Sequence, residues 1–535
     1  ALRAGSDPAA VLRRGVQQRA LEVFRHRVAE FCLRIGQPVP TVGLSSARTR
    51  WGSCSRRSGI RLHWRLIHLP LELVDYVAAH EVAHLLEMNH SPRFWSVVES
   101  VYPDHAAARA RLLVRSEETL DSFIEAVKPI LSAVEREGDT ALIRCAQLFD
   151  GAPADFTAIM TPKEDFAWAR KVVSAEVVAA LEFAADNIRR YHQAQMPEDM
   201  WLKEMRPGVF AGERWSPLDS VACYVPRGKG SFPSVALMTA IPAVVAGAKR
   251  VVMLTPPGSD GRADAATLIA AELAGVTDVY RVGGAQAVAA AAYGTASVPR
   301  CLKIVGPGSP YLIAAKKLLA DRIDPGMLAG PSEALVLADE TADGRLAALD
   351  LLVEVEHGPD SSGFLVTPSR AVAEAALKAI PGFFGQMSET RIDYTMTVLS
   401  SDRGGIVLTP DIQSAYDFVN DYAPEHLMIH AKEPYAHLGQ IRNAGEILLG
   451  ENSSNTLANF VIGPNNVLPT NGWAKTMSPL SVFDYMKRAT VAQVTAAGYA
   501  GLAKAAEVIA RYEGFDAHAN AVSATRARIM AERKA

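Results

Sequence analysis

Arg250-Val-Val-Met-Leu254, then Ala263-Asp-Ala-Ala-Thr-Leu-Ile-Ala-Ala-Glu-Leu-Ala274, then Val279-Tyr-Arg-Val282 is the passage that decides the fold. A short β-branched run, an Ala-rich helical run and a second short apolar run follow one another without a polar alternation. The same texture continues outward. Residues 221–225 and 235–248 come before it, and residues 285–293 and 302–305 after it. Strand-sized and helix-sized segments in alternation predict βαβ units, hence an α/β fold of Rossmann-like parallel sheets with flanking helices. Residues 335–337, 364–366 and 406–408 read as further buried strands.

The chain has 535 residues, 49% hydrophobic and 21% charged, with 38 Gly and 31 Pro. That composition excludes fibrous and low-complexity classes and allows two to four domains. No apolar run is long enough to span a bilayer, so no membrane-embedded role is expected. A net charge of −3 gives no general attraction to nucleic acid. The charge is uneven, however. Residues 1–115 hold 17 Arg, no Lys and 9 acidic residues, a balance of +8, which leaves −11 for the remainder. Such asymmetry predicts two units, 1–115 and 116–535. The early arginines are scattered without an aromatic platform and read as a solvated surface. Five widely spaced cysteines (Cys32, Cys54, Cys145, Cys223, Cys301) form no CxxC, and no export signal is evident, so a cytoplasmic protein with reduced thiols is expected.

In the first unit the spacing predicts a helix over 11–31, a β-rich section over 41–66 and a helix over 71–88. His80-Glu81-Val82-Ala83-His84 falls in that last helix. Imidazoles one turn apart can share a Zn²⁺ while Glu81 takes a proton from bound water, and His90 could supply a third protein ligand. Together with Trp51-Gly52-Ser53-Cys54 and Asn89-His90-Ser91-Pro92-Arg93-Phe94-Trp95, the motif resembles the YgjP-like family of metallopeptidases. That resemblance implies a small α+β zincin-like domain ahead of the α/β unit.

The second unit offers a different set of groups. Glu354 and His357 lie three residues apart on an expected helix and can face one metal; His518 offers another imidazole. Glu425-His426, directly after a proline, sets a carboxylate beside an imidazole in a loop suited to proton transfer. Gly228, Gly230, Gly284, Gly306 and Gly308 follow strands or open helices, where backbone N–H groups can meet phosphate. No strict GxGxxG is present, so the glycines permit a dinucleotide without requiring one. His105, His192, His430 and His437 lack motif support and read as surface or internally satisfied histidines.

Ala329-Gly330-Pro331-Ser332-Glu333-Ala334-Leu335, Glu354-Val355-Glu356-His357-Gly358-Pro359-Asp360, Ala423-Pro424-Glu425-His426-Leu427 and Asn465-Asn466-Val467-Leu468-Pro469-Thr470, in this order, resemble histidinol dehydrogenase. Gly283-Gly284-Ala285-Gln286-Ala287 and Gly306-Pro307-Gly308 agree, and the likeness runs from about Glu117 to Arg528. The resemblance implies a zinc- and NAD-dependent oxidation of a primary alcohol through an aldehyde to a carboxylate. By the same resemblance the zinc ligands fall on Glu354, His357, Asn459 and His518, and the acid–base pair on Glu425 and His426. Substrate contacts fall on Ser332, Glu513, His426 and the four ligands, and NAD contacts on Tyr224, Gln286 and Ser309. It also implies a homodimer in which Glu513 and His518 reach the other subunit's site.

Four positions depart from the family pattern. Glu354 stands where Gln is usual and Asn459 where Asp is usual, which keeps the formal charge of the ligand set; Asn466 replaces a histidine and Ser309 an asparagine. With Ser220-Val-Ala-Cys-Tyr-Val-Pro-Arg-Gly-Lys-Gly230, these changes resemble the branch acting on 2,3-dihydroxypropane-1-sulfonate, where Arg227 and Lys229 could face the sulfonate. Glu513, suited to a substrate ammonium, keeps L-histidinol equally open. The competing class is a metal-dependent hydrolase working through His80, Glu81, His84 and His90.

Overall fold

The computed structural model describes residues 8–45, 52–55, 59–68, 71–87, 92–103, 120–227, 230–327 and 329–533. Strands in chain order begin with β1 (Val42–Ser45), β2 (Gly52–Ser55) and β3 (Gly59–His63). They continue with β4 (Met200–Arg206), β5 (Val209–Pro217), β6 (Ser220–Tyr224), β7 (Arg250–Thr255), β8 (Val279–Arg281) and β9 (Lys303–Val305). The last are β10 (Glu333–Ala338), β11 (Ser362–Thr367), β12 (Gly404–Leu408), β13 (His426–His430), β14 (Glu446–Leu449) and β15 (Met486–Val494).

The chain divides into two compact units that do not follow sequence order. One contains residues 1–120, 331–456 and 469–477; the other contains 121–330, 457–468 and 478–535.

Within the first unit, residues 8–103 form an α+β layer. β3 is central, parallel to β1 and antiparallel to β2. The helix Pro8–Arg34 buries Ala20, Phe24, Val28 and Phe31 on one stripe, in one core cluster with Ile60, Leu62, Val74 and Val77. The Arg27 guanidinium fastens this helix by a forked ion pair to Asp75 of the helix Leu71–Ala83. That helix stops at Ala83, short of the expected 88. Leu85 and Leu86 instead bond to the carbonyls of Val82 and Ala83 in a tighter turn, so His84 lies just past the helix end. Residues 64–68 are a 3₁₀ turn where extended chain was expected.

The same unit carries an all-parallel five-stranded sheet in the order β12-β11-β10-β13-β14. Every residue of β10, β11 and β13 is buried, as strands covered on both faces require.

In the second unit the decisive passage forms β7, a helix and β8 as its texture predicts. The helix Ala265–Ala274 starts where the Asp264 carboxylate accepts the Thr267 N–H and ends at left-handed Gly275. The parallel sheet runs β8-β7-β6-β9, with order reversing between β6 and β9. An antiparallel sheet, β15-β5-β4, was not anticipated. The helix Asp139–Phe149 starts without a side-chain cap. Gly138 takes the N-cap position and Asp139 receives Ser297 Oγ at 2.6 Å. Among the described residues no helix is long and apolar enough to cross a membrane.

Candidate functional site

In the first unit, polar side chains gather at the N-terminal edge of the parallel sheet. The helix Ile412–Tyr422 ends at Ala423, whose φ of 53° is left-handed, and Pro424 then forces extended chain into β13. This abrupt turn presents Glu425 and His426 side by side. Asn471 (φ 56°) is the other non-glycine residue in that conformation among those described, and its N–H donates to Glu333 Oε1 at 3.0 Å. Strain of this kind is retained where surrounding structure over-determines it, often at functional sites.

Glu425 is buried, and its Oε2 accepts the Glu333 N–H at 2.9 Å. His426 sets Nε2 3.8 Å from Glu425 Oε1 and Nδ1 3.0 Å from Glu446 Oε2. Burial pushes the Glu425 carboxyl up to about 8; the charge of Glu354 adds to this, while His426 and the Glu333 N–H oppose it. Burial works against a charged His426, but the Glu446 hydrogen bond and the fields of Glu425, Glu354 and Glu446 outweigh it and raise the imidazole to about 9. Both groups therefore hold their protons more tightly than free side chains, and such perturbed, buried titratable pairs are suited to acid–base work.

Glu354 is 2% exposed on the last turn of the helix Gly344–Val355. His357 lies just beyond that helix rather than on it, its N–H bonded to the Glu354 carbonyl. The geometry still joins the two: His357 Nδ1 is 3.2 Å from Glu354 Oε2 and 3.2 Å from the Val353 carbonyl. With Nδ1 held as the donor, Nε2 keeps its lone pair, the usual arrangement of a metal-ligating histidine. Asn455 Nδ2 donates to Glu354 Oε1 at 2.8 Å and fixes the carboxylate. One turn earlier on the helix, Asp350 accepts from Ser454 Oγ (2.7 Å) and meets His430 Nε2 (3.0 Å), so His430 is a core histidine satisfied at one nitrogen only: its buried Nδ1 has no partner among the described residues. Carboxylate oxygen and imidazole nitrogen both suit zinc. Among the described residues no group of three or more His, Cys, Asp or Glu is placed to hold a metal. Ser332 precedes β10, and its carbonyl accepts the Ser362 N–H.

The second unit has the crevice that a parallel sheet offers where strand order reverses, beyond the carboxyl ends of β6 and β9. Tyr224 closes β6, and its hydroxyl accepts the Gly284 N–H at 3.0 Å, where the helix Gly284–Tyr293 begins. Gly306 follows β9 with φ 114°; a Cβ there would sit 2.2 Å from the Tyr224 carbonyl oxygen, so only glycine fits. Ser309 occupies the N-cap position of the helix Pro310–Leu318 without a side-chain capping bond. Gln286, 2% exposed, donates to Asp150 at 3.4 Å. Glycine turns and helix N-termini at this edge fit a dinucleotide. Asp150 was not anticipated. Burial lifts its carboxyl to about 6 against the Gln286 bond. Arg227 is occupied by the Arg262 carbonyl (2.9 Å), and Lys229 lies outside the described residues.

Elsewhere in this unit, Asn459 is buried and its carbonyl accepts Asn466 Nδ2 at 2.7 Å. Glu513 and His518 are exposed near the C-terminus, the latter against Phe515.

At the HExxH motif, the His80 and His84 rings stand 5.1 Å apart, with Phe94 packed on both. Glu81 is buried beneath Gly52, where a Cβ would come within 2.4 Å of its Oε1. Burial lowers the proton affinity of His84, partly opposed by its bond to the Glu87 carbonyl, which favours the neutral, ligating form. His90 lies outside the described residues. Of the unanticipated members of these clusters, Glu446, Asp350, Asn455 and Asp150 sit in no quoted motif, and Glu333 lies inside the stretch 329–335 without a role assigned to it there. The one available signal was a carboxylate at the start of an apolar strand run.

A family model described as histidinol dehydrogenase matches residues 113–526, and one described as YgjP-like, metallopeptidase domain, matches residues 4–114. A histidinol dehydrogenase homolog of Colwellia psychrerythraea is 56% identical over 418 residues, covering 78% of this chain and 94% of the relative. A histidinol dehydrogenase of Synechocystis sp. is 46% identical over 408 residues, covering 76% and 94%. The crystal structure of histidinol dehydrogenase from Elizabethkingia anophelis matches with a TM-score of 0.74 at 31% identity, covering 79% of this chain and 96% of that one.

Proposed function

Because the chain belongs to the histidinol dehydrogenase family of NAD-dependent oxidoreductases, we propose that it oxidises a primary alcohol to a carboxylate in two NAD⁺-linked steps. The observation that carries this reading is the buried Glu425–His426 pair, with His426 Nε2 3.8 Å from Glu425 Oε1 and its Nδ1 3.0 Å from Glu446 Oε2. His426 takes the hydroxyl proton at Nε2, and Glu425 takes a proton from the water that adds to the aldehyde. NAD⁺ held at Tyr224, Gln286 and Ser309 would supply the hydride acceptor for both oxidations.

The family generally uses zinc as well as NAD. Glu354 and His357 are donors of the right chemistry, and Asn459 and His518 complete the set in this reading. Zinc held there would anchor the substrate and polarise its oxygen. Tyr224, Gln286 and Ser309 line the dinucleotide crevice; Ser332 and Glu513 orient the alcohol. The substrate is L-histidinol or 2,3-dihydroxypropane-1-sulfonate. Glu513 favours an ammonium-bearing one.

A homodimer belongs to the same reading. The C-terminal arm presents Val508, Ile509, Tyr512 and Phe515 to solvent, with Tyr512 93% exposed. Apolar side chains in that number on one arm suit burial against a second copy, which would also deliver Glu513 and His518 to its site. The test is NADH formation at 340 nm over both alcohols. His426→Asn should abolish most turnover while NAD⁺ still binds; undiminished turnover removes His426 as the base.

A second reading, for residues 1–115 acting apart from 116–535, is a zinc hydrolase built on His80, Glu81 and His84. The paired imidazoles beside a buried carboxylate support it. Peptide cleavage by the same sample, lost in Glu81→Gln with NADH formation unchanged, would establish it.

A further inference from the structure

His426 and Glu446 are cross-strand neighbours, each the first residue of its strand in the parallel pair β13–β14. Their side chains meet through Nδ1 and Oε2 at 3.0 Å. The Glu446 side chain is 8% exposed, and its second oxygen, Oε1, has no hydrogen-bond partner among the described residues. A carboxylate buried with one partner is an expensive choice for a strand position, and an apolar residue there would serve the core better. The strand does not need this side chain for its register. The N–H groups of Gly445 and Glu446 already bond to the carbonyls of Pro424 and Glu425 at 2.9 Å each. What the carboxylate does, beyond folding, is hold one nitrogen of one imidazole.

We propose that Glu446 is the positioning residue of the acid–base pair: it holds the Nδ1–H of His426 and so aims the Nε2 lone pair at the reacting hydroxyl. The assignment rests on the reading of His426 as the base. It gives His426 two carboxylates with separate duties. Glu446 sits behind the ring on Nδ1, and Glu425 stands at 3.8 Å beside Nε2, where the proton arrives. The logic is that of a carboxylate orienting a catalytic imidazole and stabilising the imidazolium that forms. The charged groups bearing on the ring are Glu425, Glu354 and Glu446, so removing Glu446 leaves two of the three in place.

The test uses the full-length, zinc-loaded protein with ¹⁵N- and ¹³C-labelled histidine, followed from pH 7 to 10. The His426 resonance is identified by its loss in His426→Asn. Glu446→Gln is isosteric and removes only the charge; Glu446→Leu removes charge and hydrogen bond. In both variants the ring should titrate at least one pH unit lower. In Glu446→Leu the neutral ring should lose its preference for the Nδ1–H form. With whichever alcohol is turned over, kcat should fall on the order of 10²-fold or more, as for other orienting carboxylates, with KM for NAD⁺ unchanged. An unmoved ring titration in folded Glu446→Gln overturns the proposal, as does wild-type kcat in either folded variant. A purely structural Glu446 would leave the isosteric variant unaffected. The ring titration needs no turnover, so it separates failure of this assignment from failure of His426 as the base.

Discussion

The Lys316 ammonium donates to the Gly306 carbonyl at 3.0 Å from a side chain that is 1% exposed. Burial, then repulsion from Lys303, lowers its proton affinity to about 7, with Asp324 opposing. Between that value and the 10.5 of a free lysine, the unfolded chain holds a proton that the folded chain has released, so folding becomes more favourable as pH rises through this window. Below pH 7 the whole penalty is present. Lys316→Met should therefore raise Tm at pH 6.5, and calorimetry at pH 10 should show that gain reduced or reversed. Each tenfold change in proton affinity is worth about 1.4 kcal/mol, against about 1 kcal/mol for the lost hydrogen bond. Equal gains at both pH values would sink this account.

The acid–base pair predicts an alkaline-rising rate. Both members hold protons more tightly than free side chains, and the base must be empty to accept one. The value of kcat/KM should climb between pH 7 and about 9, with the limb belonging to the coupled pair rather than to either residue. A stopped-assay pH series checks it. A flat profile, or one falling over that range, contradicts it.

Zinc retention should depend on Glu354 and, more weakly, on Asn455. Glu354→Ala should leave well under one zinc per chain after dialysis. Asn455→Ala, which only frees a carboxylate oxygen now held at 2.8 Å, should weaken binding roughly 10–100-fold. Metal analysis by emission spectroscopy decides; full occupancy in Glu354→Ala removes that residue from the ligand set.

Gly306 is predicted to be intolerant of a methyl group. Gly306→Ala would meet the Tyr224 carbonyl at 2.2 Å with φ at 114°, at a cost of about 1–3 kcal/mol in backbone strain alone. NAD⁺ binding by calorimetry should weaken and Tm should fall. Gly439→Ala, in open space with φ of −65°, is the control and should change neither.

Alternating apolar runs made the parallel sheets readable, because strands buried on both faces cannot hide their composition. β13 and β14 escaped notice: His426 and His430 interrupt one, and the other is four residues long with Glu446 at its head. The pairings with β15 were invisible because antiparallel partners distant in sequence leave no local trace. The site was legible where unusual residues cluster, as at Glu425-His426. It was illegible where one ordinary carboxylate matters through a neighbour in space, as with Glu446 or Glu333. Helix ends misled at both candidate metal sites. His84 lies one residue and His357 two residues past the last helical residue, held by backbone bonds that spacing cannot reveal.

The antiparallel pairing of β5 with β15 matches Val209 to Val494 and Pro217 to Met486. During synthesis, β5 leaves the ribosome with one edge bonded to β4, while the strand that will cover its other edge is untranslated. At ~5–20 residues per second that edge waits on the order of tens of seconds. An uncovered strand edge is an invitation to foreign strands. The nascent protein should therefore depend on a holding chaperone during this interval, and a stop codon placed before Met486 should yield aggregates rather than a smaller soluble product.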